Sequence, residues 1–143
     1  MIDGVDHINV YSKGSTELGR LLSNFAHTPF TGGGRRFASV EGWWHWYCTG
    51  KKLHHLANLY GFKAKKEGKK HKRIVRAPDR EVLFLVYERK IECNHYIHEM
   101  LVESTLPFTH YFNYGYKIVQ TEWEWTGSLW NEVRELFKSI QSE

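Results

Sequence analysis

The residues of this sequence best suited to chemistry are a carboxylate and the glycine, arginine and tryptophan residues near it. Glu41 stands one residue into an expected helix, just after a glycine-rich segment at residues 29–34. Arginine grips phosphate in a planar fork, glycine lets backbone N–H groups face an anion, and an indole stacks on a base. A glutamate in the first turn of a helix also gains a few tenths to about 1 kcal/mol without any ligand. The residues of this segment that favour a phosphorylated, base-bearing ligand are Arg35, Arg36, Ser39, Trp43 and Trp44.

Two other segments place polar side chains among apolar ones. Ser23 and Asn24 precede Phe25, and His110 lies among the aromatic residues of the segment 106–111. Serine and asparagine often close a helix end, and a histidine beside aromatic residues is usually structural, so structural roles are the alternative for both segments. The imidazole of His110 can nevertheless supply a proton near neutral pH.

The positive charge of the chain is concentrated in one short stretch. The formal net charge is +4, and the chain without the eight basic residues of this stretch would be net negative. Such a local patch points to phosphate or nucleic acid, although a charge block can also be a solvated, mobile loop. Glu67 is the acidic residue among the eight, which are Lys63, Lys65, Lys66, Lys69, Lys70, Lys72, Arg73 and Arg76.

Cysteine usage and hydropathy predict a soluble cytoplasmic protein. Cys48 and Cys93 do not form a disulfide framework, and we expect both as buried thiols. No signal peptide opens the sequence, and no apolar run approaches the roughly 20 residues of a membrane span. Two histidine pairs have some metal-like spacing but no completing ligands, so we expect no metal and no other cofactor. These pairs are His54 with His55 and His95 with His98.

Helices must position most of these residues. Apolar residues recur at helical spacing through much of the chain, and most of the aromatic residues are expected in the core. The pattern predicts one mainly helical α+β domain over residues 1–143 with a few short strands. Predicted helices cover residues 15–25, 39–50, 51–60, 79–89, 95–103 and 127–141; predicted strands lie at 6–11 and within 107–119, and a loop at 29–34.

Three groups of motifs resemble the NADAR (YbiA-like) superfamily. The opening motifs are Leu22-Ser23-Asn24-Phe25, Pro29-Phe30 and Ser39-Val40-Glu41. The lysine-rich stretch at 57–68 is similar to the connection in the middle of that family. The residues Thr126-Gly127 and Asn131-Glu132-Val133-Arg134 are similar to its closing helix. The resemblance spans nearly the whole chain, and the opening motifs are its most specific part.

The resemblance implies an ADP-ribose-like nucleotide ligand and cleavage of an N-glycosidic bond. It makes Glu41 the central catalytic carboxylate. It also implies that Asn24 contacts the ribose or base and that the arginines and part of the lysine patch hold phosphates. The expected ligand-binding residues are Ser23, Asn24, Phe25, Arg35, Arg36, Ser39, Trp43, Trp44, Lys63, Lys70 and Glu124.

The sequence departs from the family pattern around the second catalytic group. Gly42 stands where the family commonly has histidine, and His45 where it often has glutamine. The segment 111–115 replaces an Asp-X-X-Trp-Gly motif, and Glu124 stands in place of an asparagine. We therefore expect that His110 or Glu124 has taken over that role, or that the activity is altered.

The expected function is removal of ADP-ribose from ADP-ribosylated guanine in DNA or RNA, with an antitoxin or anti-defence role. A weak similarity to a phage-borne subgroup would place the protein in the host cytoplasm, without a membrane partner. One alternative is an N-glycosidase for ribosylamino-pyrimidine intermediates of the riboflavin pathway. The other is a non-catalytic module that binds ADP-ribose or nucleic acid.

Overall fold

The structure is a computed structural model that describes residues 1–141. Helices dominate and the strands are short, which confirms the predicted mainly helical α+β class. Among residues 1–141, no helix has both the length and the apolar character needed to cross a bilayer. The elements are β1 (Ile8–Asn9), α1 (Glu17–Leu22), β2 (Phe30–Gly32), β3 (Arg35–Phe37), α2 (Val40–Cys48), a 3₁₀ helix (His54–Asn58), α3 (Gly61–Gly68), α4 (Arg80–Glu92), α5 (His95–Glu103), β4 (Phe108–Thr109), β5 (Phe112–Tyr114), β6 (Lys117–Val119) and α6 (Glu124–Gln141).

The chain divides into two compact units, each of which is described by itself. The central-segment unit is the continuous stretch Asn24–Asn94, with β2, β3, the 3₁₀ helix and α2 to α4. The two-segment unit combines Met1–Ser23 with the chain from His95 onward, and contains β1, α1, α5, β4 to β6 and α6. The single domain expected over residues 1–143 stays a prediction.

The two main helices of the central-segment unit begin where the sequence predicts. Ser39 Oγ accepts a hydrogen bond from Gly42 N at 3.0 Å and caps α2. Asp79 Oδ1 accepts one from Val82 N at 3.0 Å and caps α4. Both caps satisfy amide groups that the first helical turn leaves open, and both predicted starts are confirmed. The buried side chains of these helices include Val40, Trp43, Trp44, Leu83, Tyr87 and Ile91.

The loop predicted at residues 29–34 is wrong, because part of it is a strand. β2 and β3 pair antiparallel, with Phe30 opposite Phe37. Gly33 and Gly34 connect them with positive φ values of 60° and 80°. Two consecutive residues with positive φ make the turn whose twist matches a β-hairpin, and glycine adopts that conformation without a steric penalty. The glycines therefore build a tight hairpin.

The helix predicted at residues 51–60 is also wrong. Gly50 and Lys51 have positive φ values of 97° and 65°, which turn the chain away from the axis of α2. Only the short 3₁₀ helix follows, and the backbone is extended again at Leu59. Leu56 is fully buried, as the helical pattern predicted, so the apolar spacing identified the buried residue but not the element.

A regular helix occupies the first part of the basic stretch, where the loop alternative expected none. Ala64 and Gly68 form the buried face of α3. Beyond α3, Ile74 N donates a hydrogen bond to Cys48 O at 2.9 Å, which ties the stretch to the end of α2. Tyr60 closes the helix predicted at residues 51–60, whose apolar spacing would bury it. It instead precedes α3 as its N-cap residue and is half exposed.

A parallel pair of very short strands joins the two segments of the other unit. β1 and β4 pair with Ile8 opposite Phe108. The amide of Asn9 donates to Tyr111 O at 3.1 Å and accepts from Tyr111 N at 3.0 Å. Asn131 on α6 accepts from Phe108 N at 2.9 Å and donates to Phe108 O at 3.2 Å. The two asparagine amides thus satisfy backbone groups that such short strands leave open.

Helix boundaries in the two-segment unit differ slightly from the prediction. Thr16 caps α1, one residue after the predicted helix start at Ser15, and Ser15 N donates to Asp3 Oδ2 at 2.8 Å. Thr16 Oγ1 accepts from Gly19 N at 2.9 Å. The bounds of α5 match the prediction, while α6 begins before the predicted Gly127.

The predicted β segments and one predicted thiol also need correction. Of the strand predicted at residues 6–11, Ile8–Asn9 forms β1 and His7 forms an isolated bridge with Asp3, and the segment 107–119 divides into β4, β5 and β6. Cys48 is buried as predicted, whereas Cys93 is exposed. The exposure follows from its place as the C-cap residue of α4.

Candidate active site

Two of the sequence motifs meet at the first turn of α2. Glu41 N donates a hydrogen bond to Asn24 O at 2.8 Å. This contact uses one of the amide groups that a helix N-terminus leaves without an intrahelical partner. The structure therefore brings together Asn24 and Glu41, the two residues expected to contact the reacting sugar.

The carboxylate of Glu41 is oriented by a histidine one helical turn later. Glu41 Oε2 lies 2.9 Å from His45 Nε2, so the protonated ring nitrogen donates to the carboxylate. The side chain of His45 is 4% exposed and that of Glu41 is 15% exposed. The carboxylate thus has a fixed donor on one side and access to solvent on the other. The i,i+4 spacing was the signal in the sequence for this pair.

The ring of His45 packs directly against Gly68 of α3. A Cβ atom at Gly68 would lie 2.1 Å from His45 Cγ and 2.3 Å from His45 Nδ1. Real side chains do not approach so closely, so only glycine lets α3 pack on this imidazole. α3 therefore positions Glu41 indirectly, through the ring of His45.

The absence of a side chain at Gly42 has a packing reason. A Cβ atom there would lie 2.6 Å from Leu56 O and 2.8 Å from Leu59 O. The 3₁₀ helix and the residue after it press their carbonyl groups against α2 at this point. A histidine, common here in the resembled family, has no room in this chain.

Asn24 is held by a buried tyrosine that sequence reasoning missed. Tyr87 Oη donates to Asn24 Oδ1 at 3.3 Å, and Tyr87 is fully buried on α4. The side chain and the carbonyl of Asn24 are therefore both engaged within the central-segment unit. A tyrosine in the apolar face of a predicted helix was the available signal, because buried tyrosines usually hydrogen-bond through the hydroxyl.

Lys90 is a second missed residue, one turn after Tyr87 on α4. Its side chain is completely buried, and burial lowers the pKa of its amine to about 7. Desolvation disfavours the charged ammonium, which explains the direction of the change. A lysine is rarely so buried, and its place in the apolar spacing of α4 was the signal in the sequence.

The two arginines lie on β3 of the hairpin. Arg36 is exposed opposite Thr31, and Arg35 is partly exposed. The Arg35 guanidinium lies 5.9 Å from the centroid of the Trp46 ring, within reach of a cation–π contact. The hairpin is anchored by Arg89 Nε, which donates to Thr31 O at 2.8 Å. The two arginines expected to bind phosphate thus stand on a strand pair that Arg89 ties to α4.

Three predicted ligand-contacting residues belong to the core. The Ser39 hydroxyl donates to Leu59 O at 2.8 Å and accepts from Gly42 N, so its hydrogen bonds are used within the protein. Trp43 and Trp44 are both buried. Buried indoles have little ring surface left for a base, so this geometry does not favour the predicted stacking role.

Ser23 and Phe25 lie on either side of the division between the units. Ser23 is the buried C-cap residue of α1. Phe25 is half-buried, and its carbonyl accepts from Gly61 N, the first residue of α3, at 2.9 Å. The backbone of Phe25 thus helps to position α3.

The lysines of the basic stretch differ in their surroundings. Lys63 is exposed and lines a shallow groove with Asn58, Leu59 and Tyr60. Lys70 Nζ lies 2.7 Å from Glu67 Oε1, and this hydrogen bond lowers the pKa of the Glu67 carboxyl. Of the two predicted phosphate ligands, Lys70 is therefore already partly neutralised.

His110 and Glu124 belong to the two-segment unit. His110 Nδ1 donates to Val10 O at 2.6 Å, and burial lowers the pKa of the imidazole. Glu124 Oε1 accepts from Thr109 Oγ1 at 2.9 Å, and Glu124 Oε2 accepts from Ser128 Oγ at 3.3 Å. The lowered pKa leaves His110 largely neutral at pH 7, which makes it a poorer proton donor than the sequence predicted.

A hydrogen-bonded chain of acid, imidazole and phenol in the same unit was not predicted. Asp6 Oδ1 lies 2.6 Å from His7 Nδ1, and His7 Nε2 lies 2.6 Å from Tyr111 Oη. His7 and Tyr111 are both buried, and burial raises the pKa of the Tyr111 phenol. A raised pKa works against an activated phenolate, so the chain is best explained as a structural link.

The comparisons with known proteins leave the resemblance as an expectation. Among residues 1–141, no group of three or more histidine, cysteine, aspartate or glutamate side chains has the arrangement to hold a metal ion. The chain matches no protein-family model, and neither a curated protein nor a solved structure matches it.

Proposed function

We propose that this protein is an N-glycosidase that releases ADP-ribose from ADP-ribosylated guanine in nucleic acid. The observation that carries the proposal is the arrangement of Glu41, His45 and Asn24. It combines a partly exposed carboxylate, a buried imidazole that orients it and an asparagine fixed beside it. A carboxylate near the anomeric carbon can stabilise the positive charge that develops on the sugar or take a proton from the attacking water.

The proposed reaction breaks the bond between the anomeric carbon and the guanine nitrogen. The bonding electrons leave with the base, and positive charge develops on the sugar ring. The carboxylate of Glu41 stabilises that charge or takes a proton from the attacking water, whose oxygen then bonds to the anomeric carbon. His45 Nε2 keeps one carboxylate oxygen engaged, so the other faces the reaction.

The departing guanine must gain a proton. The sequence offers His110 for this role, but its Nδ1 donates to Val10 O, and burial lowers the pKa of the imidazole, which disfavours the doubly protonated ring that could donate from Nε2. We therefore propose that bulk water protonates the base, and that Glu41 is the central catalytic residue.

A non-catalytic module that binds ADP-ribose or nucleic acid is the second candidate. One observation favours it: the carboxylate of Glu41 is held at 2.9 Å by His45 and can be a structural part of α2. A binding module would tolerate neutralisation of Glu41, whereas a glycosidase would not.

The test uses a DNA oligonucleotide that carries ADP-ribosylated guanine, with release of ADP-ribose followed by mass spectrometry. Glu41→Gln should slow turnover by roughly 10²- to 10⁴-fold, because it removes a group with an acid–base role, while binding of the oligonucleotide stays near normal. Glu81→Gln is the matched control, since Glu81 occupies the same position in α4 and is exposed.

Each result leads to a different conclusion. Release by the wild type and by Glu81→Gln, but not by Glu41→Gln, supports the glycosidase. Equal release by all three proteins removes Glu41 from the mechanism. Tight retention of the modified oligonucleotide without release by any protein favours the binding module.

A further inference from the structure

α3 presents a basic and aromatic face to solvent. Its buried side consists of small residues, Ala64 and Gly68, which let the helix pack closely in the central-segment unit. Its other side carries exposed residues at successive turns, together with the exposed residues just before and after the helix. We call this surface the α3 face and define it as Tyr60, Phe62, Lys63, Lys66, Lys69 and Lys70.

Two large aromatic side chains are exposed on this face. Tyr60 is 50% exposed and Phe62 is 69% exposed. Phe62 is followed directly by the exposed Lys63, and the exposed Lys66 lies one helical turn further on. Exposed aromatic rings interleaved with basic residues are the arrangement by which proteins hold single-stranded nucleic acid.

The ring of Tyr60 is already part of a stack. It lies parallel to the imidazole of His27, with centroids 4.3 Å apart and planes 8° from parallel. The histidine fixes the orientation of the phenol ring, while half of Tyr60 stays open to solvent. A base that stacks on the open side would extend an existing stack and would not need to order a loose side chain.

A groove beside Tyr60 has the size for a small fragment. Asn58, Leu59, Tyr60 and Lys63 line about 260 Å³ of open space. This is below the about 300–1,000 Å³ of sites for drug-sized ligands, so it suits one base or sugar more than a whole dinucleotide. Lys63 places a cation at the groove, where the phosphate of such a nucleotide would lie.

We propose that the α3 face binds single-stranded nucleic acid, with bases stacked on Tyr60 and Phe62 and phosphates held by the lysines. The inference deepens the proposed function and rests on it for its biological substrate. A duplex keeps its base faces inside the helix, so its bases cannot reach these rings. The aromatic residues therefore select a single strand over a duplex, which lysines alone would not do.

An anionic membrane surface is the competing partner for a basic helix with exposed aromatic residues. A membrane-surface helix needs a broad apolar face. α3 has eight residues, and Phe62 is the large apolar side chain exposed on it. The charge and ring pattern therefore favours nucleic acid, and lipid vesicles enter the test as a separate arm.

The test measures fluorescence anisotropy of unmodified, labelled 20-nucleotide strands of deoxythymidine and of uridine, and of a 20-base-pair DNA duplex. At least one of the single strands should bind about tenfold or more tightly than the duplex at the same salt concentration. Tyr60→Leu and Phe62→Leu should each weaken that binding about 5- to 100-fold, the range for loss of one base–aromatic stack. Tyr114→Leu is the matched control, since Tyr114 is equally exposed in the two-segment unit.

The lysines are tested through the salt dependence. Lys63→Gln and Lys66→Gln should each reduce the slope of log K against log salt by about 0.7, the value for one phosphate contact of a single strand. Lys13→Gln, an exposed lysine outside the α3 face, should leave the slope unchanged. Equal thermal melting of all variants ensures that lost binding does not reflect unfolding.

Several results would overturn the inference. The first is a duplex that binds as tightly as both single strands do. The second is wild-type affinity in the two leucine variants. The third is full competition with the strand by anionic phosphatidylserine vesicles. Because the oligonucleotides carry no ADP-ribose, binding is independent of catalysis, and Glu41→Gln should bind them normally. Strand binding without ADP-ribose release would refute the proposed function alone, and release without any effect of the α3 variants would refute this inference alone.

Discussion

At the scale of single residues, the site depends on how buried polar groups are paired. His45 is buried and turns its Nε2 toward Glu41, so the carboxylate has a fixed orientation before any ligand binds. Tyr87 does the same for Asn24 from inside α4. Such preorganisation is the part of catalysis that a protein can supply before the substrate arrives.

Lys90 predicts a dependence of stability on pH. Burial lowers its pKa to about 7 in the folded protein, from the 10.5 of a lysine exposed to water, as in an unfolded chain. Between these values the unfolded chain binds a proton that the folded chain does not, so the free energy of unfolding rises with pH across this window. The rise is on the order of 1.4 kcal/mol per pH unit, and below pH 7 this contribution is constant.

Lys90→Met should remove this slope, because methionine has no titrating group. Urea denaturation at several pH values from 6 to 11 measures the slope. Lys52→Met changes an exposed lysine of the same unit and should keep the wild-type slope. A Lys90→Met protein with the wild-type pH dependence would show that the amine is charged in the folded state.

At the scale of elements, features set by neighbouring residues could be predicted from the sequence, whereas contacts between residues far apart in the sequence could not. Ser39 and Asp79 cap helices through hydrogen bonds to amides three residues away, so the starts of α2 and α4 could be predicted from sequence. The β2–β3 hairpin and α3 were missed, since a glycine run and a lysine run were interpreted by composition alone. Asn24 is held by Tyr87, and the ring of His45 packs on Gly68. The two residues of each pair are far apart in the sequence, and no local pattern connects them.

Gly68→Ala tests the dependence of the site on the packing of α3. The added Cβ would meet His45 Cγ at 2.1 Å, so α3 or the imidazole must move. We expect a loss of about 1–3 kcal/mol in the free energy of unfolding, as for other overpacked sites, and a drop in glycosidase rate because His45 no longer orients Glu41.

Gly32→Ala is the matched control for that substitution. The nearest atom to a Cβ at Gly32 is Phe30 Cε2 at 3.9 Å, an ordinary contact. The control should change the free energy of unfolding by less than about 0.5 kcal/mol. The free energy of unfolding and the glycosidase rate are measured for both variants. If Gly68→Ala changed them no more than Gly32→Ala does, the His45 ring would make room for the added Cβ without disturbing the site.

At the scale of the whole molecule, the residues predicted to share one site are divided between two units. Asn24, Glu41 and the lysines belong to the central-segment unit, whereas His110 and Glu124 belong to the two-segment unit. The sequence could identify the residue types for chemistry, but it could not show that His110 is engaged by Val10 O or that burial keeps it neutral.

His110→Gln should therefore reduce the glycosidase rate less than about tenfold. Glutamine can still donate to Val10 O, so the backbone contact is preserved while the titrating ring is lost. Single-turnover release of ADP-ribose at pH 7, beside Glu41→Gln, measures the difference. A loss as large as that of Glu41→Gln would restore the catalytic role that the sequence assigned to His110.

The parallel pairing of Ile8 with Phe108 also sets an order of events during synthesis. A hundred positions of sequence separate the two strands, so β1 emerges from the ribosome long before its neighbour exists. The stretch from Asn24 to Asn94 is continuous, and all the segments that it needs are made before β4. All the segments of the half that carries Glu41 are therefore present in the nascent chain before β4 is made, whereas β1 has no strand partner until β4 appears.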